Sequence, residues 1–399
     1  MRFLFSHNNA DLYGASRSLL RLTSRLVKDG NTVSVILPYS GTLSDALTVA
    51  GVRCVFIPGL AVVERSVFKS LLGLVSFCFR LPVSVIRIIS LIWKTNPDLV
   101  HSNTSVMLPS ALAAKLCRVP HIWHIREFYS DFPSFWKAYQ RVMAFCSSRV
   151  ICVSASVQMQ FDEILRAKTM VLHNGFPADE FQPVNPARID MFRSTHNLTA
   201  AKLVGVIGRL KLRRKGQETF IKAACKVSAD HLDTQFILIG SVFPGNESHE
   251  DDLRRLAASL GVTIVFAGDV NDIKAAYSAL DVVVMSSGMP EPFGGVTIES
   301  MAFSKPVVGT NIGGTPEQIL NGKTGILIPP NDPQAMANAI SMLLDDEKLR
   351  VVMGVAGRKR FEQEFEFEPY YTRLMVAYNE VVQTKANDGE HPLQVSGAA

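Results

Sequence analysis

Cysteine is scarce in this chain of 399 residues, which contains six cysteines and no Cys-x-x-Cys pair. Scattered thiols of this kind exclude a disulfide scaffold and a zinc ribbon, and they suit a reducing cytosol. Charged residues make up only 19% of the chain and apolar residues 47%, which excludes a disordered protein or a coiled coil. The first seven residues turn polar too early for a secretory signal, so we expect a globular protein of the cytoplasm.

Two short motifs of nucleotide-binding proteins are also absent. The chain has no Asp-x-Asp pair, which weakens the case for a nucleotide bridged to the protein by magnesium. It has no Gly-x-Gly-x-x-Gly either, which disfavours a nicotinamide cofactor. We therefore expect neither a metal ion nor a resident cofactor.

The length and the hydrophobic pattern predict two domains. A chain of this size exceeds one ordinary core. In both halves, short β-branched runs such as Arg2–Ser6 and Val282–Met285 alternate with amphipathic stretches, a pattern typical of parallel sheets covered by helices. We predict an α/β fold of two doubly wound domains, residues 1–185 and 186–369, because Asn174-Gly175 and three prolines fall between residues 173 and 188.

The carboxyl-terminal part carries two further predictions. Residues 370–383 have a helical pattern, and this helix could pack back on the first domain. Residues 384–399 form a polar tail that we expect to be disordered.

The charge is distributed unevenly between the two halves. Up to Pro183 there are 19 Lys and Arg against 11 Asp and Glu, whereas the remainder has 22 against 25. A basic first half favours an anionic partner there. Nucleic acid is weakly supported because the cations are dispersed and no recognisable nucleic-acid module occurs. A membrane surface or a phosphorylated substrate fits equally well.

Residues 291–302 are the most informative segment, because they follow the apolar strand Val282–Met285 and begin with Glu-Pro-Phe-Gly-Gly. Two glycines at a helix entry let a ligand approach outward-pointing N–H groups, and the helix N-terminus favours a phosphate or diphosphate. Carboxylates beside a phosphate site are useful if they bind hydroxyl groups, which sugars offer. We interpret Glu291 and Glu299 as hydroxyl acceptors; the alternative is that both are solvated surface charges.

A basic loop, residues 208–216, follows the first predicted strand of the second domain. It has five cations within seven residues and a glycine at each end. At the carboxyl end of a strand such a loop would hold a polyanion, and Arg209 and Lys215 could stabilise the charge of a departing nucleotide without a metal. The alternative is a solvated basic loop.

His124 and Gly14 of the first domain are weaker candidates for contact with a ligand. His121, His124 and Glu127 have the spacing His-x-x-His-x-x-Glu, but side chains alternate between the faces of a strand, so the two histidines would point apart and a metal site is disfavoured. His124 could instead bind a substrate hydroxyl; the alternative is a structural, half-buried histidine. Gly14, after the first strand, would allow a ligand to approach closely.

Residues 67–93 are strongly apolar but include cations. Arg80, Pro82 and Arg87 prevent an uninterrupted apolar span of about twenty residues, so a transmembrane helix is disfavoured. Two interpretations stay open: core helices that carry surface cations, and a basic, apolar surface that lies on anionic lipid.

Taken together, these motifs resemble a known family. Glu291-Pro292-Phe293-Gly294, with Glu299 eight positions on, is similar to the Glu-x7-Glu motif of retaining GT-B glycosyltransferases of family 4, the glycosyl transferases group 1. Gly208-Arg209 with Lys215-Gly216 matches the basic pair of that family. The similarity continues through residues 173–176, 313–317 and 321–325 and covers nearly the whole chain.

The resemblance implies two Rossmann-like domains that face each other across a cleft, with a nucleotide-sugar donor bound mainly by the second domain and an acceptor by the first. It assigns Glu299 to the ribose hydroxyls of the donor, and Arg209 and Lys215 to its diphosphate. Glu291 would contact the donor sugar and His124 its reacting carbon. Further donor contacts would come from the amides of Phe293, Gly294 and Gly295 and from Gly14, where this chain has one glycine and many relatives have two.

The expected function is that of a metal-independent, retaining glycosyltransferase of the hexosyltransferase type. Its donor would be a UDP- or GDP-sugar, and its acceptor a glycan or a lipid-diphosphate-linked sugar of bacterial lipopolysaccharide, capsule or exopolysaccharide synthesis. We expect it in the cytoplasm, where it could lie peripherally on the inner face of the membrane, and we expect no nucleic-acid partner. The alternatives are a nucleotide-sugar epimerase of the same architecture and a catalytically silent scaffold of a polysaccharide assembly complex.

Overall fold

The computed structural model describes residues 1–64, 67–68, 70–129, 133–242 and 245–389. The chain divides into two compact units, one formed by Met1–Asn174 with the segment from Tyr370 onward and the other by Gly175–Pro369. The boundary thus lies at Asn174-Gly175, earlier than the predicted residue 185. The intervening residues pack with the second unit, because Phe176 and Phe181 are buried with Met285 and Phe361.

The first unit is built on a parallel sheet of seven strands in the order β3-β2-β1-β4-β5-β6-β7. These strands are β1 (Arg2–Ser6), β2 (Thr32–Leu37), β3 (Arg53–Phe56), β4 (Leu99–Ser102), β5 (His121–Ile125), β6 (Arg149–Cys152) and β7 (Thr169–Val171). All residues of β4 and β5 are buried, as their continuous patterns require when helices cover both faces of a sheet.

Among the described residues, seven helices from the first half of the chain and one from its carboxyl-terminal end belong to this unit. They are α1 (Gly14–Lys28), α2 (Thr42–Val49), α3 (Leu71–Thr95), α4 (Leu108–Leu116), α5 (Pro133–Cys146), α6 (Ala155–Gln158), α7 (Glu163–Arg166) and α16 (Phe367–Gly389). Helix α3 is one continuous helix that includes Pro82, and Arg80 and Arg87 lie within its apolar run. Ser70 begins α3 by accepting a hydrogen bond from the N–H of Gly73, and Asn96 ends it in the left-handed conformation.

Helix α16 packs on the first unit through two tyrosines. The hydroxyl of Tyr371 donates to Asp29 at 2.6 Å, and that of Tyr378 lies 2.8 Å from Nδ1 of His101. The helix runs to Gly389, so the disorder predicted from residue 384 is wrong for residues 384–389. The remainder of the predicted tail, residues 390–399, lies outside the described residues.

The second unit has a parallel sheet of six strands in the order β10-β9-β8-β11-β12-β13. These are β8 (Lys202–Ile207), β9 (Thr234–Ile239), β10 (Ile264–Gly268), β11 (Val282–Met285), β12 (Val307–Thr310) and β13 (Gly325–Ile328). The helices of this unit are α8 (Pro186–Thr195), α9 (Gln217–Val227), α10 (Ser248–Ser259), α11 (Ile273–Ala279), α12 (Gly295–Ala302), α13 (Thr315–Gln318), α14 (Pro333–Asp345) and α15 (Glu347–Arg360).

Both sheets are doubly wound, which confirms the predicted fold class. In each sheet, the second and third strands are added on one side of the first strand, and the fourth strand then pairs with the other side of the first. Thus β4 pairs with β1, and β11 pairs with β8. The loops after these central strands separate in opposite directions and leave a crevice at their carboxyl ends, where open α/β sheets bind ligands. This rule directs attention to the loops after β1, β4, β8 and β11.

Candidate functional site

The loops after β8 and β11 are joined by backbone contacts in the second unit. Gly216 closes the first loop with φ +65°, and a Cβ there would overlap the carbonyl oxygen of Ser286 in the second. The hydroxyl of Ser286 donates to the carbonyl of Lys215 at 2.7 Å, and the N–H of Gly288 donates to that of Arg214 at 3.1 Å. Only glycine fits this approach, which holds the two loops together.

The joined loops place Lys215 against Glu291. The Lys215 ammonium donates to Oε1 of Glu291, although 76 positions separate the two residues. Ser287 Oγ donates to the same oxygen at 3.0 Å, and Glu291 is only 8% exposed. A carboxylate with so little exposure needs a partner, and here a cation and a hydroxyl fix its orientation.

The backbone of Glu291 is held from its other side by a second pair of glycines. Gly313 has φ +64°, and a Cβ on it would overlap the backbone of Glu291. The N–H of Gly314 donates to the Glu291 carbonyl at 2.8 Å. The Gly-Gly-Thr-Pro-Glu segment therefore serves to position the loop that carries Glu291.

Helix α12 begins beside this carboxylate. Gly294 is its N-cap and makes no side-chain cap, so the N–H groups of the first turn are available to a ligand. Gln318 Nε2 donates to the carbonyl of Gly294 at 2.9 Å and orients this turn. The arrangement suits a phosphate or another anion.

Glu299 lies one turn further along α12. Its Oε2 accepts a hydrogen bond from the hydroxyl of Tyr277 at 2.7 Å, and its Oε1 would stand 3.5 Å from a Cβ on Gly295. Side chains of a helix lean toward its N-terminus, which brings this carboxylate back over the first turn. Oε1 can therefore accept from a ligand hydroxyl while Tyr277 holds Oε2.

The remaining predicted residues of this unit lie in the same loops. Arg209 is partly buried directly after β8, and its carbonyl accepts from Gln217 Nε2 at 2.9 Å. Phe293 is half-buried with its ring 6.0 Å from that of Phe365. The structure thus brings Lys215, Glu291 and the start of α12 together, while the action of Arg209 on a diphosphate stays a prediction.

In the first unit, His124 is buried near the end of β5. Its Nδ1 lies 3.3 Å from the guanidinium of Arg126, and its Nε2 has no hydrogen-bond partner within the described part of the chain. Burial and the charge of Arg126 hold the pKa of His124 well below 6.5, so the ring is neutral at physiological pH. A neutral ring with an unpaired nitrogen could bind a hydroxyl group.

His121 belongs to a different environment on β5. Its Nε2 lies 2.9 Å from Ser102 Oγ, away from His124, as strand alternation predicts. Burial lowers the pKa of His121 to about 3. Among the described residues there is no group of three or more His, Cys, Asp or Glu that could hold a metal ion.

Gly14 is the first residue of α1, after the loop that follows β1. A Cβ added to it would meet no described atom within 4 Å, and its backbone is not left-handed. Packing within the first unit does not require glycine here. The predicted contact with a ligand is therefore untested by the geometry.

Sequence reasoning missed the groups that support these candidates. His7 Nε2 lies 3.0 Å from Ser16 Oγ, and the amide of Asn103 lies 3.3 Å from His7 Nδ1, so one network joins the loops after β1 and β4. Arg126 donates to Asn174 Oδ1 at 2.5 Å. The only signal in the sequence was Asn174 itself, in the His-Asn-Gly-Phe segment; neither Tyr277 nor His7 stands in a motif.

Comparisons with known proteins agree with this architecture. Residues 13–180 match the family model described as Glycosyltransferase Family 4, and residues 188–360 match the model described as Glycosyl transferases group 1. The capsular polysaccharide biosynthesis glycosyltransferase CapM of Staphylococcus aureus is 26% identical over 310 residues, covering 74% of this chain and 80% of CapM. The lipopolysaccharide core biosynthesis mannosyltransferase LpcC of Rhizobium leguminosarum is 29% identical over 53% of this chain and 60% of its own length, so the chain spans less than two thirds of this relative.

Solved structures show the same fold. The crystal structure of Anabaena Alr3699/HepE in complex with UDP superposes with a TM-score of 0.81 at 24% identity and covers 95% of this chain and 100% of that one. A glycosyltransferase of Rickettsia africae gives a TM-score of 0.80 at 21% identity, over 96% of this chain and 98% of its own. With two parallel doubly wound sheets and a family model matched by each half, the chain belongs to the family 4, group 1 glycosyltransferases of the GT-B fold and is a glycosyltransferase.

Proposed function

We propose that this enzyme is a retaining glycosyltransferase that transfers a hexosyl group from a UDP- or GDP-sugar, without a metal ion, to a glycan or lipid-diphosphate-linked acceptor. The pathway that we propose is the synthesis of a bacterial cell-surface polysaccharide, on the cytoplasmic side of the membrane. The observation that supports this most is the arrangement around α12: an ammonium, two carboxylates and a free helix N-terminus at one sheet edge.

Each of these groups matches one part of a nucleotide-sugar. The free N–H groups of α12, with Arg209 and Lys215, suit the diphosphate. Glu299, held by Tyr277, suits a pair of ribose hydroxyls, and Glu291 suits the hydroxyls of the transferred sugar. A phosphate alone would gain nothing from two carboxylates, which is why a sugar is favoured.

The proposed reaction uses these charges to stabilise the leaving group. The bond between the anomeric carbon and the donor phosphate breaks, and both electrons go to the phosphate oxygen. Lys215 and Arg209 stabilise the charge that develops there. The acceptor hydroxyl attacks from the same face, forms the glycosidic bond and gives its proton to the leaving phosphate, so the anomeric configuration is retained.

Named relatives support the proposed donor and pathway. HepE structures contain UDP and UDP-glucose, and CapM is named for capsular polysaccharide biosynthesis. A mannosyltransferase of Corynebacterium glutamicum, 30% identical over 51% of this chain and 54% of its own length, is named as GDP-mannose-dependent. These names give two donor bases, and the choice between them needs a measurement.

Calorimetric titration of the purified protein with UDP, GDP and ADP, with and without EDTA, tests the proposal. We expect micromolar binding of one nucleotide that EDTA does not change. Glu299→Gln should weaken this binding about tenfold to a hundredfold, because a charged hydrogen bond to a hydroxyl is lost. Glu347→Gln, an exposed carboxylate at the start of α15, is the matched control.

The same preparation separates the alternatives. A scaffold protein would bind none of the three nucleotides. An epimerase would bind a nucleotide and convert the intact donor sugar without an acceptor, which nuclear magnetic resonance of the sugar detects. Binding that EDTA abolishes would contradict the metal-independent mechanism.

A further inference from the structure

Helix α3 (Leu71–Thr95) has an apolar face on each side. One face is buried in the core of the first unit, where its residues Val85, Ile88, Leu91 and Ile92 pack with Leu4 and Val100. The opposite face, which we call the outer stripe, consists of Val75, Phe79, Pro82, Ile86 and Trp93, all exposed. Phe79 is 74%, Ile86 65% and Trp93 75% exposed.

The spacing of the outer stripe makes it one continuous surface. Intervals of three, four and seven residues return to the same side of a helix with 3.6 residues per turn. Large apolar residues that are exposed singly need no explanation, but a row of them along one helix marks an interaction surface.

A line of cations runs beside the outer stripe. Arg80, Arg87 and Lys94 follow one another at intervals of seven residues and are all exposed. The guanidinium of Arg80 donates to the carbonyls of Gly59 and Leu60 at 2.8 and 2.7 Å, which holds it along the flank of the helix. The sequence contains no acidic residue between Glu64 and Asp98, so no carboxylate of this stretch neutralises the line.

This helix is long and apolar enough to cross a membrane by length and composition, with a mean hydropathy of 1.8 over its best stretch. Its inner face argues against a crossing, because Ile88 and Ile92 are part of the folded core and would have to leave it. A helix with one face in the protein and one apolar face outward is instead suited to lie in the plane of a membrane surface.

We propose that the outer stripe of α3 docks on the surface of a lipid bilayer that contains anionic lipids. The apolar residues would enter the interfacial region, where tryptophan is favoured, and the cations would meet lipid phosphates. A second copy of this chain fits less well, since a symmetric contact would bring the same cations together without carboxylates from α3. The proposal is independent of the proposed function, because it uses no residue of the donor site.

Vesicle binding by the full chain tests this. With vesicles of phosphatidylethanolamine and about 30% phosphatidylglycerol, the protein should co-sediment at low salt and less at about 0.5 M salt. Of the three tryptophans, Trp123 and Trp136 are buried and Trp93 is exposed, so binding should shift the tryptophan emission to shorter wavelength. Trp93→Phe should remove this shift and keep most of the binding.

Two pairs of variants distinguish specific binding by the outer stripe from nonspecific adsorption to vesicles. The triple variant Phe79→Gln, Ile86→Gln, Trp93→Gln should lower the partition coefficient at least about tenfold. Its control changes three exposed valines on α15, Val351, Val352 and Val355, to Gln and should bind as the native protein does. Lys94→Gln should lower the partition coefficient about fivefold and the exposed Lys348→Gln should not.

Several results would overturn the proposal. These are a native protein that does not bind anionic vesicles, equal loss in both triple variants, and equal binding to phosphatidylcholine vesicles. If sedimentation velocity showed that the triple variant of α3 loses self-association, while it still binds vesicles, the outer stripe would be a contact between copies of the chain. Protein that alkaline carbonate cannot release from membranes would show a spanning helix. Circular dichroism confirms that each variant is folded.

Discussion

The two units wind their sheets in the same way but differ in what they place at the carboxyl ends of the central strands. In the first unit the loops after β1 and β4 carry buried, neutral groups, namely His7 and Asn103. In the second they carry groups of opposite charge that keep partial exposure, such as Lys215 and Glu299. A charge retains its ionised form near solvent or beside a partner, whereas burial lowers the pKa of a histidine until it is neutral.

This difference separates two kinds of role. The second unit has charges that can act on a charged ligand, at a site held together by backbone contacts of glycine. The first unit has hydrogen-bonding groups whose neutral state depends on the fold around them. Substitutions in the second unit should therefore change binding and turnover, while acid should act first on the stability of the first unit.

The largest effect is expected from the basic loop of the second unit. Arg209→Ala and Lys215→Ala should each lower turnover by on the order of a hundredfold or more, because the departing phosphate loses a preorganised cation. Lys211→Ala, an exposed cation of the same loop, is the control and should stay within about twofold. Steady-state transfer rates with saturating donor measure this; unchanged turnover in both variants would remove the leaving-group role.

A second large effect is expected on the stability of the second unit. Gly313→Ala should lower the free energy of unfolding by about 2 kcal/mol or more, since its left-handed backbone and the overlap with Glu291 both oppose a Cβ. Denaturant unfolding measures the change. Gly322→Ala supplies the control, because its φ is also positive but no described atom lies within 4 Å of an added Cβ. Equal losses in the two variants would mean that the contact with Glu291 has no part in the effect.

Mild acid should distinguish the two units. Burial lowers the pKa of His7 and His121 to about 3 and that of His101 and His124 well below 6.5. The unfolded chain then binds more protons than the folded one below about pH 6.5, so stability falls as the pH falls, by up to about 1.4 kcal/mol per pH unit for each histidine.

Hydrogen exchange at neutral pH and near pH 5, followed by mass spectrometry, measures each unit separately. As the pH falls, peptides of the first sheet should lose protection from exchange at a higher pH than peptides of the second sheet. The three histidines of the second unit are partly exposed. Equal loss in both sheets would contradict the assignment of acid sensitivity to the buried histidines.

The smallest effect on stability is expected at Gly14. Gly14→Ala should change the free energy of unfolding by less than about 0.5 kcal/mol, since nothing in the first unit opposes the methyl group. If the predicted ligand contact is correct, the same variant should raise the KM of the donor. An unchanged KM would remove Gly14 from the donor site.

Much of the fold was predictable because it follows from local pattern. Strands such as β1 and β11 were predicted to the residue, since buried parallel strands form continuous apolar runs between turn residues. Helix α3 was not predicted as one element, because Pro82 normally ends a helix, and here tertiary packing overrides that preference. The unit boundary differs because packing of Phe176 and Phe181, rather than the prolines, decides it.

The candidate site was predictable only in part. The basic loop and the Glu-Pro-Phe-Gly-Gly segment each contain, within a short stretch, several residues of types that indicate ligand binding. The pairing of Lys215 with Glu291 joins residues 76 positions apart, and the support of Glu299 by Tyr277 depends on the packing of α11 against α12. The network of His7, Ser16 and Asn103 in the first unit gave no signal, because single polar residues just after an apolar strand have the same pattern whether their role is structural or functional.

The close approach of the loops at Gly216 and Gly313 also limits how this site can diversify. A library that randomises whole loops would mostly produce proteins in which these loops cannot approach each other, because even a methyl group at either glycine overlaps backbone atoms. Changes of donor preference should be sought at neighbouring positions with exposed side chains, such as Met289. The same pair of glycines offers a simple filter for telling working relatives from sequences that have lost the site.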